Sequence, residues 1–127
     1  MKKSRAFITT YTYHEDTSKP GRIMDIARVG EVFVTRLRMK PRVVTGNLYH
    51  KKTHVIVFVT EGQVKFTFVQ VNTGERRVVI LEPGSPIVHW PAYVACASEN
   101  VSKRESTVVF FSNQAFRATD DYKFDVV

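Results

Sequence analysis

Apolar and polar residues alternate along most of the chain in short runs separated by glycine and proline, which is the period of half-buried strands rather than of helices. Residues 6 to 13, rich in Thr, Tyr, Phe and Ile, predict an opening strand, and His14 to Gly21 a polar turn region. Arg22 to Val29 sets Ile23, Asp25 and Ala27 against Met24, Ile26 and Arg28; after Gly30, Glu31 to Met39 completes a predicted hairpin. Beyond Gly62, Val64, Phe66, Phe68 and Gln70 face one way and Lys65, Thr67, Val69 and Val71 the other. Asn72-Thr73-Gly74 turns the chain into a partner strand over Val78 to Leu81. Further strands are predicted at Ile87 to Trp90, Tyr93 to Ser98 and Thr107 to Ser112, with Pro91 as a break and Asn100 to Glu105 as a charged loop. Asn113 to Val127 reads as a polar tail with Phe116, Tyr122 and Phe124 as anchors. No stretch predicts a helix, so the pattern points to an all-β barrel or sandwich forming one domain over residues 1–127.

The chemistry concentrates between Gly46 and Gly62. A strand end carrying His50 leads through the basic bend Lys51-Lys52-Thr53 to His54, and five consecutive apolar residues, Val55 to Val59, follow. Side chains two apart on a strand point the same way, so Leu48 and His50 share a face. His50 is therefore a candidate base at the mouth of an apolar scaffold.

Composition narrows the picture only in part. A chain of 127 residues, 43% hydrophobic and 24% charged, suits one globular domain with a real core. No apolar run approaches the ~20 residues of a membrane helix. The start Lys2, Lys3, Arg5 leads into Thr-rich sequence rather than a signal-peptide core, so a cytoplasmic location without membrane attachment is expected. The single cysteine, Cys96, closes no internal disulfide and reads as a buried, inert thiol. A net charge of +7 favours an anionic partner. Arg36, Arg38, Lys40 and Arg42 alternate so as to line one basic face, either a contact for a diphosphate or a solvated stripe. No nucleic-acid motif or stacking array accompanies the charge, and nucleic acid is not an expected partner.

From Gly30 onward the order of features resembles the small cupin proteins of nucleotide-sugar metabolism. Phe33 to His50, Gly62, Thr73-Gly74-Glu75, Pro91-Ala92-Tyr93, Asn113-Gln114-Ala115-Phe116 and Asp121-Tyr122 are similar to the C-terminal cupin domain of capsular-polysaccharide reductase-epimerases. The motif there has the shape Gly-Asn-His-Tyr-His with a glutamate five residues later. The segment His50-Lys51-Lys52-Thr53-His54 is similar to the sugar 3,4-ketoisomerases, whose motif reads His-Ala-His-Lys-Lys-x-His and which use no metal. The resemblance implies a cupin-type jelly roll, the double-stranded β-helix barrel, and a homodimer paired through edge strands, with the N-terminal segment available to cross to the partner.

The departures bear on chemistry. Leu48 stands where both branches carry their first histidine, Val55 where the metal-binding branch carries its glutamate, Ala95 at its later histidine, and Thr45 at the arginine before Gly-Asn. Leu, Val and Ala offer no lone pair, so no metal and no cofactor are expected here. The resemblance then implies a metal-independent isomerase or epimerase acting on a nucleotide-linked 4-keto-6-deoxy sugar, with His50 removing the proton next to the ketone. Arg38, Tyr49, Lys51 and Lys52 are in reach to meet the enolate or the diphosphate. His89, Trp90 and Tyr93 could form an aromatic wall for a sugar or base, or pack as ordinary core. His54 reads either as a substrate contact or as a structural residue, and Lys51-Lys52 equally as a solvated bend. The alternative is a catalytically silent cupin that binds a sugar or nucleotide sugar as a regulatory or scaffolding module.

Overall fold

The longer strands form where apolar residues alternate with polar ones or run continuously, and they turn an apolar side toward a second sheet. The computed structural model describes residues 7–114 and 120–127, so Ala6 of the predicted opening strand and Phe116 of the predicted tail anchors fall outside the described residues. Among those residues there are strands and turns and no helix. In chain order the strands are β1 (His14–Asp16), β2 (Arg22–Val29), β3 (Val32–Met39), β4 (Val44–Tyr49), β5 (Val55–Glu61) and β6 (Val64–Gln70). They continue with β7 (Arg76–Leu81), β8 (Val88–Trp90), β9 (Val94–Asn100), β10 (Ser106–Ser112) and β11 (Tyr122–Lys123).

One sheet runs β1-β2-β3-β10-β5-β8 and the other β11-β4-β9-β6-β7, with antiparallel pairing throughout. Because β10 lies between β3 and β5, and β9 between β4 and β6, the chain winds back and forth between the sheets in the manner of a jelly roll. Leu37, Met39, Val57, Val64, Phe66 and Val108 meet in the space between them and are almost completely buried. Trp90 sits at the centre of an aromatic group, 5.3 Å from Phe68 and edge-on to Phe110 at 6.2 Å, the tilted geometries rings prefer.

Two segments differ from the sequence expectation. Phe7 to Tyr13 lie outside any strand, and His14–Asp16 pairs with β2; the opening strand is shorter and later than the composition predicts, because the rest of the segment has no strand partner among the described residues. The C-terminal tail, by contrast, is structured beyond the predicted anchors. Tyr122 and Lys123 pair with Tyr49 and Leu48 as β11, and Val126 is buried with Val69, Ala95 and Ala97 on the outer face of the second sheet, with Phe124 against them. That face of β6 and β9 is apolar and needs a cover, which the tail supplies. Among the described residues, no helix is long and apolar enough to cross a membrane.

Candidate functional site

The site begins with an irregularity in β4. The register against β9 shifts between Gly46 and Leu48, leaving Asn47 as the extra residue of a bulge. Gly46 has φ +103° and Asn47 φ +58°, and a Cβ on Gly46 would lie 2.6 Å from the Cys96 carbonyl oxygen, so glycine is required both for the conformation and for the close approach. The bulge brings Leu48 opposite Cys96. Leu48 and His50 both line a cavity of about 270 Å³ between the sheets, as their two-residue spacing predicts.

Met24, Leu37, Phe66, Trp90 and Phe110 make this cavity largely apolar, and its polar groups fall into two sets. At one side are Lys19, Arg22 and Thr45. Arg22 is buried, donates from Nη1 to Thr45 Oγ1 at 3.3 Å, and holds Nη2 3.5 Å from the Asp16 carboxylate. The motif position occupied by Thr45 lacks its arginine, yet a guanidinium reaches Thr45 from β2. His50 and Asp121 form the other set, and on β9 Ser98 lies across from Thr45 and Cys96 across from Leu48.

His50 is 5% exposed. Its Nδ1 lies 3.1 Å from the backbone carbonyl of Asp120 and 3.1 Å from Oδ1 of Asp121. Carbonyl and carboxylate oxygens only accept, so Nδ1 carries the hydrogen and Nε2 is the nitrogen with a lone pair in the neutral ring. Burial opposes charge on the ring, but the Asp121 carboxylate and the Asp120 carbonyl outweigh it and hold His50 above the ordinary histidine value. The carbonyl of His50 accepts from the Tyr93 N–H at 2.7 Å, which ties the end of β4 to the turn before β9.

Of the residues singled out in sequence, the cavity brings together His50 and Trp90. Arg38 projects from the opposite face of β3 from Leu37 and, with Arg36, binds the buried Asp25 carboxylate at 3.3 and 2.8 Å, so the basic stripe satisfies an acid on the outer face of the first sheet. Tyr49 points away from the cavity, stacked with Tyr122 at 5.4 Å and tilted against Tyr93 at 6.2 Å. Lys51 and Lys52 are exposed on the bend, and Lys51 Nζ lies 4.2 Å over the Tyr122 ring. His54 and His89 are exposed and stack on each other at 5.7 Å outside the barrel. His89 and Trp90 both border a second, open groove, with Trp90 forming a wall common to groove and cavity.

One correction concerns the lost motif. On β9 the inward residue is Cys96; Ala95 faces the outer cluster with Val126, because neighbours on a strand point to opposite sides. Burial pushes the Cys96 thiol far up, so it stays protonated, consistent with the inert thiol expected. The residues here do not fit a cupin metal centre: Leu48 stands beside His50, Val55 is sealed in the core, and among the described residues no three His, Cys, Asp or Glu side chains come together for a metal.

Sequence reasoning missed Arg22, Lys19 and Asp121 as site residues. The predicted hairpin register already put Arg22 on the side of Met24 and Ile26, where a guanidinium on an apolar face is a signal. Asp121 had no local signal; the tail had to be docked before it could be seen.

No family model and no curated protein matches the sequence. Solved structures do match. The capsular polysaccharide assembling protein CapF from Staphylococcus aureus superposes with a TM-score of 0.81 at 18% identity over 92% of this chain. Oxalate oxidase with a glycolate substrate analogue gives 0.68 at 18% identity over 78%, and a mutant of Bacillus subtilis oxalate decarboxylase 0.76 at 12% over 94%. The fold is the all-β cupin jelly roll. The chain spans 35% of the CapF chain, 54% of the oxalate oxidase chain and 33% of the decarboxylase chain.

Proposed function

We propose that the protein is a metal-independent cupin isomerase or epimerase that enolises a nucleotide-linked 4-keto-6-deoxy sugar, with His50 as the base. The observation that carries this reading is the buried His50 at the wall of a largely apolar cavity, its Nδ1 held at 3.1 Å by the Asp120 carbonyl with the Asp121 carboxylate alongside, which makes Nε2 the basic nitrogen of the neutral ring. Nε2 takes the proton from the carbon next to the ketone, the C–H electron pair becomes the enolate, and the imidazolium is stabilised by the Asp121 carboxylate. Arg22, Thr45 and Ser98 are the donors on the cavity wall for the enolate oxygen. The proton then returns to the carbon it left or to a neighbouring one. At about 270 Å³ the cavity lies just below the roughly 300–1,000 Å³ of sites that enclose drug-sized ligands, so it takes the sugar and leaves the nucleotide diphosphate at the mouth near Lys19. The structural likeness to a capsular polysaccharide assembling protein supports a role in carbohydrate assembly.

The test is proton NMR in heavy water with a thymidine- or uridine-diphospho-4-keto-6-deoxyhexose, wild type beside His50→Ala. His50-dependent loss of the proton next to the ketone is expected, and product couplings then separate epimerisation from ketone migration. One observation favours the second reading, a silent binding module: Leu48 removes a second histidine from the cavity wall. Ligand line broadening without exchange establishes that reading instead. The protein is further proposed to act in the cytoplasm as a homodimer, since Phe7, Ile8, Tyr11 and Tyr13 are exposed ahead of the edge strand β1. Light scattering at micromolar concentration should give twice the chain mass; the single-chain mass removes the dimer.

A further inference from the structure

Asp120 is not among the residues lining the cavity, yet its carboxylate accepts four hydrogen bonds. Oδ1 accepts from the Lys51 N–H at 3.0 Å, and Oδ2 from the N–H of Lys52 at 2.8 Å, the N–H of Thr53 at 3.0 Å and the Thr53 hydroxyl at 2.9 Å. Three successive backbone N–H groups converging on one anion form a nest, and donors aimed at an ionised acceptor make the stronger class of hydrogen bond. The contact is dry, with Asp120 6% and Thr53 2% exposed, so an unfilled nest would leave several donors unsatisfied.

The position of this contact matters more than its strength. Residue 120 also presents the carbonyl that accepts from Nδ1 of His50, and residue 121 the carboxylate beside the same nitrogen. A second anchor holds the far end of the tail: Asn47 accepts from the Phe124 N–H through its carbonyl and from the N–H groups of Val126 and Val127 through Oδ1. The tail is also held by the pairing of β11 with β4 and by Arg76, which donates to the Val126 carbonyl at 2.9 Å; of these contacts the Asp120 grip is the one on the bend that follows the histidine.

We propose that Asp120 is a positioning residue: by clasping the bend that follows His50, its carboxylate holds the C-terminal segment where the Asp120 carbonyl and the Asp121 carboxylate set the tautomer and charge of the His50 ring. A ring so held presents Nε2 as its lone-pair nitrogen. With the clasp open, Nδ1 loses both acceptors and the ring is free to exchange tautomers. The proposal takes the His50 site as its premise and is independent of which reaction, if any, the site performs.

The experiment is nitrogen NMR of the His50 ring, with amide hydrogen exchange over residues 122–127, on the full chain and three variants. Asp120→Asn keeps the size but turns an amide NH₂ toward donors. It should mix the His50 tautomers, move the His50 titration midpoint down toward the ordinary histidine value, and speed exchange at Tyr122. Asn47→Gly keeps the left-handed backbone and the carbonyl that holds the Phe124 N–H, and removes the Oδ1 half of the far grip. It should speed exchange at Val126 and Val127 and leave His50 at its wild-type midpoint and tautomer. Thr53→Val removes one donor from the nest and should act as Asp120→Asn does, more weakly, which retains a test if the asparagine variant does not fold. A folded Asp120→Asn with wild-type His50 behaviour overturns the proposal, as does an Asn47→Gly that shifts His50 equally. If Asp120→Asn fails to fold, a Thr53→Val indistinguishable from wild type overturns it. None of these readouts involves turnover, so failure of the enzymatic reading is seen separately.

Discussion

His50 and His54 stand four residues apart and have little else in common. His50 follows the last residue of β4, lines the cavity, is buried, and has Nδ1 beside two oxygens of the C-terminal segment. His54 stands outside the barrel, with its ring against the exposed His89 and its backbone N–H bonded to Asn113 at 2.7 Å. Both belong to the same short motif, so the motif alone does not distribute chemistry between them. Burial and a fixed acceptor do, and these come from a segment 70 residues further along the chain.

The comparison breaks most sharply on turnover. His50→Ala should lower the solvent-exchange rate of the sugar proton by about 10²- to 10⁴-fold, the usual contribution of a general base. His54→Ala and His89→Ala should stay within about twofold, as surface substitutions do. Equal losses at His50 and His54 would move the site to the outside of the barrel.

Stability separates neighbours on β8 in the same way. Trp90→Ala removes the ring that contacts Phe68 and Phe110 and should cost about 3–5 kcal/mol in chemical denaturation, whereas His89→Ala should cost less than about 0.5 kcal/mol. A small loss at Trp90 would mean that the cavity collapses freely around it.

A pH profile sharpens the role of Asp121. A base works only when neutral, so activity falls as pH drops through the raised titration point of His50. Asp121→Asn removes the carboxylate that favours the charged ring, and the acid limb of kcat/KM should shift to lower pH. A limb that stays in place assigns it to another group. The same raised value has a stability consequence: the contribution is fully present below the ordinary histidine pKa of 6.5 and is lost as pH rises through the folded value.

The smallest effect concerns Asp120. Burial alone would raise its carboxyl, but the N–H of Lys52, the Thr53 hydroxyl and the N–H groups of Lys51 and Thr53 together hold it below the usual carboxylate value. Stability from this lowered group is present above about pH 3.8 and is lost as pH falls through its lower folded value. Acid titration of the thermal midpoint should therefore show wild type and Asp120→Asn converging below that point and separating above it. Parallel curves would mean that the carboxylate contributes nothing through its charge.

What was legible in the sequence was whatever a local period encodes. Alternation located the long strands β2, β3 and β6 within a residue or two, because a one-residue slip would turn their apolar faces to water, and continuous apolar runs marked β5 and β10. It also put Leu48 and His50 on one side. The seven residues Phe7 to Tyr13 have strand composition but no strand partner among the described residues, and composition does not supply one. The tail read as polar, yet Tyr122 to Val126 cover an apolar sheet face whose need for a cover appears only once the sheet exists.

The sequence by itself therefore determined the all-β architecture, the reach of His50 into the interior and the loss of histidine and glutamate donors at Leu48 and Val55. These are properties of residue type and of spacing along one strand. The tertiary structure alone decided that Arg22 meets Thr45, that Cys96 rather than Ala95 faces inward, and that Asp120 and Asp121 meet the far side of the His50 ring. Each of these depends on contacts between distant strands or on a backbone bulge, and no local pattern carries either.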